Sequence, residues 1–308
     1  MAININELAK ELITLRDCIR WGMSAFNAAE LTFVQGMPTA LDEAVYLCLA
    51  ALNLPPDFSE NYFDCRLTLA ERKAVLDYYR QRIELKKPAA YISNEAWFAG
   101  LSFYVDERVL IPRSPFAELI EQQFSPWVMD EEVDNILELC TGSGCIAIAC
   151  AYAFEHANVV ASDISADALA VAEINRHNHG LEDRLELVQS DLFENVPNRK
   201  YDLIVSNPPY ISEQEMAELS DELKREPALG LAAGEQGLDV VIPILKQARQ
   251  FLSDNGVLIV EVGYSWPVLE AALPNVPLTW LDFEYGGDGV FMLTAEQLDA
   301  HQDDFDAL

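Results

Sequence analysis

From about residue 114 onward, the sequence alternates short apolar segments with amphipathic ones. Strand patterns occur at 135–139, 158–162, 185–189, 202–206, 256–262, 276–283 and 289–293, and helical patterns occur near 115–124, 145–156, 166–178, 237–252 and 266–273. This alternation predicts an α/β domain whose mostly parallel sheet is covered by helices on both faces. The last two strands have no helix between them and should form an antiparallel end, and the tail after about residue 295 is expected to fray.

The N-terminal part has a different pattern. One helix is predicted over residues 4–30, a second over 39–52, and a third that begins after Thr68, with Glu71 completing a capping box, and ends near Lys87. Two short apolar runs around Gly100 then indicate a β-hairpin. We therefore predict a small helical domain over residues 1–88, a β-hairpin linker over 89–113 and an α/β domain over 114–308.

Composition narrows the class of protein. Hydrophobic residues make up 51% and charged residues 23% of the chain, as in globular proteins. No apolar run approaches the ~20 residues of a membrane helix, and the N-terminus shows no signal pattern, so we expect a cytoplasmic protein with no membrane partner. The six cysteines form no C-x-x-C pair and have no histidines at zinc spacing, so no metal site is expected.

The net charge of −31 is distributed unevenly along the chain. Residues 1–115 contain 12 Lys and Arg against 15 Asp and Glu, whereas the remainder contains 8 against 36. An acidic surface of this kind repels phosphate backbones and attracts a basic partner. Solubility alone explains the charge equally well.

The predicted strand 202–206 ends abruptly at Asn207-Pro208-Pro209-Tyr210. A planar –NH₂ group could donate one proton to the Asn207 side-chain oxygen and the other to the Pro208 carbonyl, while the Tyr210 ring packs on the face of the plane. Its nitrogen would then be open to an electrophile. The carboxyl end of a strand is where open α/β sheets bind ligands. A simple strand-ending turn is the alternative, and these four residues alone do not decide between the two.

A glycine-rich loop follows the first core strand. Its sequence, Thr141-Gly142-Ser143-Gly144, lets the backbone bend tightly and lets a ligand lie against it. With Ala147 it also matches the dinucleotide fingerprint, so the loop itself is ambiguous between cofactors. Glu138 lies late in the preceding strand. Its carboxylate would attract a cofactor with a positively charged amino acid group and would repel the pyrophosphate of a dinucleotide.

Two aspartates end the next two strands. Asp163, 21 residues after Gly142, could accept hydrogen bonds from two ribose hydroxyls; because Ser165 or Asp167 can cap the following helix, a ligand role is favoured over a cap. Asp191 could accept from an adenine amino group while the Leu192 N–H meets the ring, although an ordinary loop aspartate is an alternative.

Four elements thus close successive strands in order: Glu138–Gly144, Asp163, Asp191 and Asn207–Tyr210. A nicotinamide enzyme gives no reason for the fourth. The order resembles the seven-stranded class I fold of S-adenosylmethionine-dependent methyltransferases, a Rossmann-like fold. That resemblance implies S-adenosyl-L-methionine as cofactor, bound by Glu138, Cys140, Thr141, Gly142, Gly144, Asp163, Ile164, Asp191, Leu192 and Asn207, with Asn207, Pro208, Pro209 and Tyr210 as the catalytic set.

The segments Val109–Pro115, Leu139–Ala147, Asn207–Tyr210, Glu226–Leu231 and Gly286–Phe291 resemble the bacterial protein-glutamine methyltransferases over nearly the whole chain. The branch acting on peptide release factors typically shows Pro-Arg-Pro-Glu-Thr-Glu and Asp-Leu-Gly-Thr-Gly-Ser-Gly. Here Ser114-Pro115 follows Arg113, and Glu138-Leu139-Cys140 replaces Asp-Leu-Gly. The sequence is more similar to the branch that methylates a glutamine of large-subunit ribosomal protein L-three.

The resemblance implies a basic ribosomal protein as partner and no direct binding of nucleic acid. Release-factor methylation is the alternative activity. A DNA amino-methyltransferase shares Asn207–Tyr210 but needs a basic groove, and a non-catalytic ribosome-assembly factor has no use for the intact motifs. The helical domain is hypothesised to dock the protein substrate.

Overall fold

The computed structural model describes residues 3–33, 37–129 and 133–308. These residues form two compact units. The first unit is Met1–Glu95 with Ser220–Arg225, and the second is Ala96–Leu219 with Glu226–Leu308.

The regular structure in the described part of the first unit is helical. Its helices are α1 (Ile5–Glu11), α2 (Leu15–Ala28), α3 (Ala40–Ala51), α4 (Leu69–Glu84) and α5 (Ala89–Ser93). The single helix predicted over residues 4–30 is wrong, because a capping box begins a new helix at Thr14. The Thr14 hydroxyl accepts from the Asp17 N–H at 3.1 Å, and the Asp17 carboxylate accepts from the Thr14 N–H at 2.9 Å.

A buried arginine joins three parts of the first unit. Arg82 on α4 is 1% exposed and forms ion pairs with Glu43 at 2.6 Å and Glu222 at 3.3 Å. Glu222 also accepts from the Thr32 hydroxyl at 2.6 Å. These contacts fasten the Ser220–Arg225 segment to helices that lie far from it in sequence, since charged groups are buried only where they are paired.

The second unit begins with the predicted hairpin, β1 (Ala96–Phe98) and β2 (Leu101–Phe103). Its main sheet, within the part of the chain that the structure describes, has seven strands in the order β5-β4-β3-β6-β7-β9-β8. The strands are β3 (Asn135–Leu139), β4 (Asn158–Asp163), β5 (Leu185–Gln189), β6 (Tyr201–Ser206), β7 (Leu252–Glu261), β8 (Thr279–Trp280) and β9 (Val290–Thr294). Strands β3 to β7 pair in parallel and β9 is antiparallel to both of its neighbours. The predicted mixed sheet is therefore confirmed.

Helices lie between and after the strands of this sheet. They are α6 (Phe116–Glu121), α7 (Cys145–Ala153), α8 (Ala166–Asn178), α9 (Glu213–Glu218), α10 (Val241–Phe251), α11 (Trp266–Ala272), α12 (Ala295–Ala300) and α13 (Gln302–Asp306). Alternate residues of each strand enter two separate buried clusters: Ile136 and Leu203 lie in one, and Leu137 and Ile204 in the other. This alternation follows from the two-residue period of a strand that is covered on both faces.

The expectation that the C-terminal tail frays is wrong. Helix α12 starts with a capping box in which Thr294 accepts from the Gln297 N–H at 3.2 Å. Helix α13 then brings Phe305 into the cluster that contains Ile244 and Leu245, where it is fully buried. A buried aromatic ring contributes enough apolar contact area to hold the terminal turns in place.

The strand register sets the position of the site. Leu139 of β3 pairs with Ser162 of β4 on one side and with Ser206 of β6 on the other. The residues that follow these three strands therefore emerge level with one another at the carboxyl edge of the sheet. Among the described residues, no helix is long and apolar enough to cross a bilayer.

Candidate active site

A cavity of about 510 Å³ lies at this carboxyl edge of the sheet in the second unit. Most of the predicted cofactor residues line it: Glu138, Cys140, Thr141, Gly142, Asp163, Ile164, Asp191, Leu192 and Asn207. Pro209 from the predicted catalytic set lines it as well. Of the described residues that the sequence singled out, Gly144, Pro208 and Tyr210 do not contribute to the lining.

The glycine-rich loop has a left-handed backbone conformation at two of its residues. Gly142 and Gly144 have φ values of 55° and 81°, which glycine adopts without steric cost. A Cβ on Gly144 would lie 3.3 Å from Ala172 of α8, so this glycine also allows the close approach of that helix. A Cβ on Gly142 would meet no described atom within 4 Å, so the backbone there is open to a ligand.

Glu138 ties this loop to the first turn of α7. The side chain is 1% exposed, and one carboxylate oxygen accepts from the Thr141 hydroxyl and from the Ala147 N–H at 2.9 Å. Burial raises the pKa of Glu138 to about 8. The carboxyl group is therefore poised to ionise when a cationic group lies beside it.

Asp163 ends β4 and braces the same loop from the other side. One carboxylate oxygen accepts from the Gly142 N–H at 2.9 Å, and the other accepts from the Ser165 N–H at 2.9 Å. Ser165 is the N-cap of α8, accepting from the Ala168 N–H at 3.2 Å. Asp163 is thus not the cap, and burial raises its pKa.

Asp191 follows β5 in an exposed position on the cavity wall. The turn that presents it is held by the neighbouring Ser190, whose N–H donates to the Asp163 carbonyl at 3.0 Å and whose hydroxyl accepts from the Asn195 N–H at 2.9 Å. Leu192 next to it has a φ of 45°. The turn places a carboxylate and an exposed backbone beside each other at the cavity.

The Asn207–Tyr210 segment divides between the cavity and the protein interior. Asn207 is half-buried and lines the cavity together with Pro209, whereas Pro208 is buried. Tyr210 is turned to a separate set of contacts: its hydroxyl donates to Glu261 at 3.1 Å, and its carbonyl accepts from the Ser265 hydroxyl at 2.7 Å. Burial raises the pKa of Tyr210 well above its ordinary value.

Arg113, from the motif segment Val109–Pro115, lines the cavity. It donates to both carboxylate oxygens of the buried Glu226 at 2.9 Å and to the Ile111 carbonyl at 3.2 Å. Glu226 also accepts from the Ile111 N–H at 3.2 Å. Two of the motif segments, Val109–Pro115 and Glu226–Leu231, are therefore joined by one carboxylate at the site.

Sequence reasoning missed the roles of Glu261 and Ser114. Glu261 is 5% exposed at the end of β7 and accepts from Tyr210 and from the Ser114 hydroxyl, the latter at 2.5 Å. For Glu261, the available signal was a carboxylate that directly follows the apolar run 257–260.

The Gly286–Gly289 motif packs against the same region. A Cβ on Gly287 would lie 2.8 Å from Pro115, and a Cβ on Gly289 would lie 2.0 Å from the Gly263 carbonyl oxygen. The Val262 N–H donates to the Gly289 carbonyl at 2.6 Å. Glycines are required here because a Cβ would collide with the Pro115 ring at Gly287 and with the Gly263 backbone at Gly289. The described residues contain no group of three His, Cys, Asp or Glu side chains placed to hold a metal ion.

Comparison with known proteins agrees with this geometry. Residues 124–234 match the family model described as "Methyltransferase small domain". The chain is 48% identical over 300 residues to a protein of Francisella tularensis subsp. tularensis, covering 97% of this chain and 96% of that relative. It is 47% identical over 294 residues to a protein of Bordetella pertussis (95% and 99%) and 48% identical over 295 residues to one of Neisseria gonorrhoeae (95% and 98%).

All three relatives bear the name ribosomal protein uL3 glutamine methyltransferase. The predicted class I methyltransferase fold is confirmed by the sheet order and the family match. With nearly half of all residues identical across almost the full length, the chain belongs to the family of ribosomal protein uL3 glutamine methyltransferases.

Proposed function

We propose that this protein transfers a methyl group from S-adenosyl-L-methionine to the side-chain amide nitrogen of a glutamine in ribosomal protein uL3. The observation that carries the proposal is the position of Asn207, which lines the cavity that is framed by the glycine-rich loop and Asp163. The relatives' names supply the substrate. Ribosomal protein uL3 is the protein called L-three in the sequence analysis.

The residues present suit the cofactor. The cavity combines an open backbone at Gly142 with three carboxylates spaced along successive strand ends. Glu138 is proposed to favour the cationic amino acid end, Asp163 to accept from the ribose hydroxyls and Asp191 to accept from the adenine amino group, with backbone contacts from Cys140 to Gly144. When bound, the cofactor supplies an electrophilic methyl group on a sulfonium.

The residues of this chain orient the acceptor amide. An amide nitrogen is a poor nucleophile because its lone pair is delocalised into the carbonyl. The Asn207 side-chain oxygen and the Pro208 carbonyl are proposed to accept the two amide protons and so to direct the nitrogen toward the cavity. As the nitrogen–methyl bond forms and the sulfur–methyl bond breaks, these acceptors ease loss of one proton. Orientation of this kind is worth effective molarities of ~10⁵ M or more.

Charge supports uL3 over nucleic acid as the direct partner. Residues 116–308 hold 8 Lys and Arg against 36 Asp and Glu, which favours a basic protein and opposes a phosphate backbone. We place the reaction in the cytoplasm and propose no nucleic-acid partner. Release-factor methylation is not favoured by the comparisons.

The first unit is proposed to dock the protein substrate. Within it lies a surface cavity of about 590 Å³ that is lined largely by apolar side chains, among them Leu41, which is 46% exposed. Leu41→Glu should raise the KM for uL3 while leaving the affinity for the cofactor unchanged. An unchanged KM would count against the docking role. The division of the chain into a docking domain, a linker and a catalytic domain at residues 88 and 113 remains a prediction.

The direct experiment is transfer of labelled methyl from S-adenosylmethionine, run in parallel on free uL3, a peptide release factor and plasmid DNA. Label is expected on uL3 alone, at a glutamine side chain. Asn207→Ala should abolish transfer and leave cofactor binding largely intact. Label on the release factor would move the protein to the other branch, and label on DNA would overturn the interpretation of its charge.

A further inference from the structure

Tyr210 is held by the last residue of β7 and by the segment that follows this strand. Its hydroxyl donates to Glu261 at 3.1 Å, and its carbonyl accepts from Ser265 at 2.7 Å. Between these contacts the ring lies against the backbone of Gly263, where a Cβ would come within 2.5 Å of ring carbon Cε2. The hydroxyl bond and the Gly263 contact therefore set the orientation of the ring, and the Ser265 bond fixes the backbone of the same residue.

Glu261 is shared between Tyr210 and a second hydroxyl. One carboxylate oxygen accepts from Tyr210 and the other accepts from Ser114 at 2.5 Å. Glu261 is 5% exposed and Ser114 is 8% exposed, so water cannot replace either donor without local opening. Rotation of the tyrosine away from Glu261 would leave a buried carboxylate oxygen without its donor, which disfavours every other ring orientation.

Ser114 is itself fixed in place. Its hydroxyl accepts from the Phe116 N–H at 3.2 Å at the start of α6, while the next residue, Pro115, contacts Gly287. Ser114 is also the first position at which this sequence departs from Pro-Arg-Pro-Glu-Thr-Glu, and a proline there has no hydroxyl to donate. The Ser114–Glu261 hydrogen bond is therefore a feature that such a sequence lacks.

We propose that Glu261 is a positioning residue for methyl transfer: it fixes the Tyr210 ring, and through it the Asn207–Pro209 segment at the cavity, and Ser114 sets Glu261. The inference rests on the proposed function, because it assigns a cause to the placement of one member of the Asn207–Tyr210 set. Glu261 touches neither substrate nor cofactor in this scheme and acts through Tyr210.

The test is a double-mutant cycle on the full-length enzyme with Glu261→Gln, Tyr210→Phe and the two combined. Each single variant should lower kcat for uL3 methylation by about 10- to 100-fold, the range expected for a group displaced by about 1 Å. The combined variant should be no slower than the slower single variant, because both changes remove the same contact. The dissociation constant for S-adenosylmethionine should stay within about twofold of wild type, and Ser114→Ala should give an intermediate loss of kcat.

Tyr201→Phe is the matched control. Tyr201 begins β6, the strand that leads into Asn207–Tyr210, and its hydroxyl donates to the Pro197 carbonyl at 3.1 Å. This variant also removes a tyrosine hydroxyl bond, but at the far end of the strand from the Asn207–Tyr210 segment, so it should lower the thermal midpoint without lowering kcat. It separates a loss of stability from a loss of orientation.

An unchanged kcat in Glu261→Gln, independent and multiplicative losses in the combined variant, or a parallel loss of cofactor affinity would each overturn the positioning role. Methyl transfer by the wild type to a release factor rather than uL3 would instead overturn the proposed substrate. The cycle run on that acceptor would still decide the role of Glu261.

Discussion

Replacing Asp163 by alanine should weaken cofactor binding by two routes at once. The side chain is proposed to accept from the ribose hydroxyls, and it also accepts from the Gly142 and Ser165 N–H groups, both at 2.9 Å. Alanine removes both backbone acceptors, so the glycine-rich loop loses its connection to the end of β4. The variant therefore alters the shape of the cavity as well as its polarity.

The magnitude follows from these two hydrogen bonds. A hydrogen bond to a charged group contributes about 1.5–3 kcal/mol. The lower end applies here because Asp163 is half-buried and its raised pKa shows that burial of the charge is itself costly. We expect the free energy of unfolding to fall by about 2–3 kcal/mol, a drop of roughly 4–12 °C in thermal midpoint for a domain of this size. Loss of the ribose contacts together with the loop should raise the Kd for S-adenosylmethionine by about 100-fold, which corresponds to about 2.7 kcal/mol.

Isothermal titration calorimetry with S-adenosylmethionine, together with thermal denaturation, measures both effects. Asp167→Ala is the matched control, since Asp167 is exposed in the first turn of α8 and does not line the cavity. Its removal should leave the Kd unchanged and cost less than about 1 kcal/mol of helix stability. A Kd within twofold of wild type for Asp163→Ala, or an equal loss for Asp167→Ala, would refute the reasoning.

Three further outcomes follow from the contacts described above. Because burial raises the folded-state pKa of Glu138 to about 8, the folded protein binds more protons than the unfolded chain between the ordinary value of 4.5 and about 8. Without cofactor, stability should therefore fall as pH rises through that window relative to Glu138→Gln, and a pH-independent difference in thermal midpoints would contradict this. Arg82→Met should lower the free energy of unfolding by about 3–5 kcal/mol in urea titrations, because Glu43 and Glu222 stay buried without their cation; adding Glu43→Gln and Glu222→Gln should restore part of it, and no recovery would argue against the ion pairs as the cause. Gly263→Ala, at a φ of 45°, should displace the tyrosine ring of the Asn-Pro-Pro-Tyr segment and lower kcat more than tenfold at unchanged cofactor affinity, whereas wild-type kcat would show that ring orientation is unimportant.

Much of the α/β region could be predicted because its signals are local. Apolar runs of five or six residues, each ended by Gly, Asp or Asn, mark strands whose carboxyl ends meet at one edge of the sheet. Glu138, Asp163 and Asn207 were placed together on that basis, and the structure brings all three to one cavity. Their roles toward cofactor and substrate remain predictions.

The errors of prediction occurred where a local signal was overlooked or a distant contact prevailed. The capping box at Thr14 was present in the sequence but was concealed by continuous helical spacing on both sides of it. The C-terminal tail was expected to fray because of its polar composition, yet Phe305 buries a whole ring against α10. Composition describes the average preference of a segment for water, whereas one buried aromatic side chain can decide its structure.

The sequence by itself determined the succession of strands and helices along the α/β part of the chain, the loops that end the strands and the chemistry of the side chains in those loops. Only the tertiary structure decided which distant groups pair: Ser114 with Glu261 across 147 residues, and Arg113 with Glu226 across 113. Periodicity and turn chemistry act over a few residues, so they specify elements and their ends. A carboxylate finds its hydroxyl or guanidinium partner only after strand register and helix packing have excluded water from both, and no local pattern encodes that event.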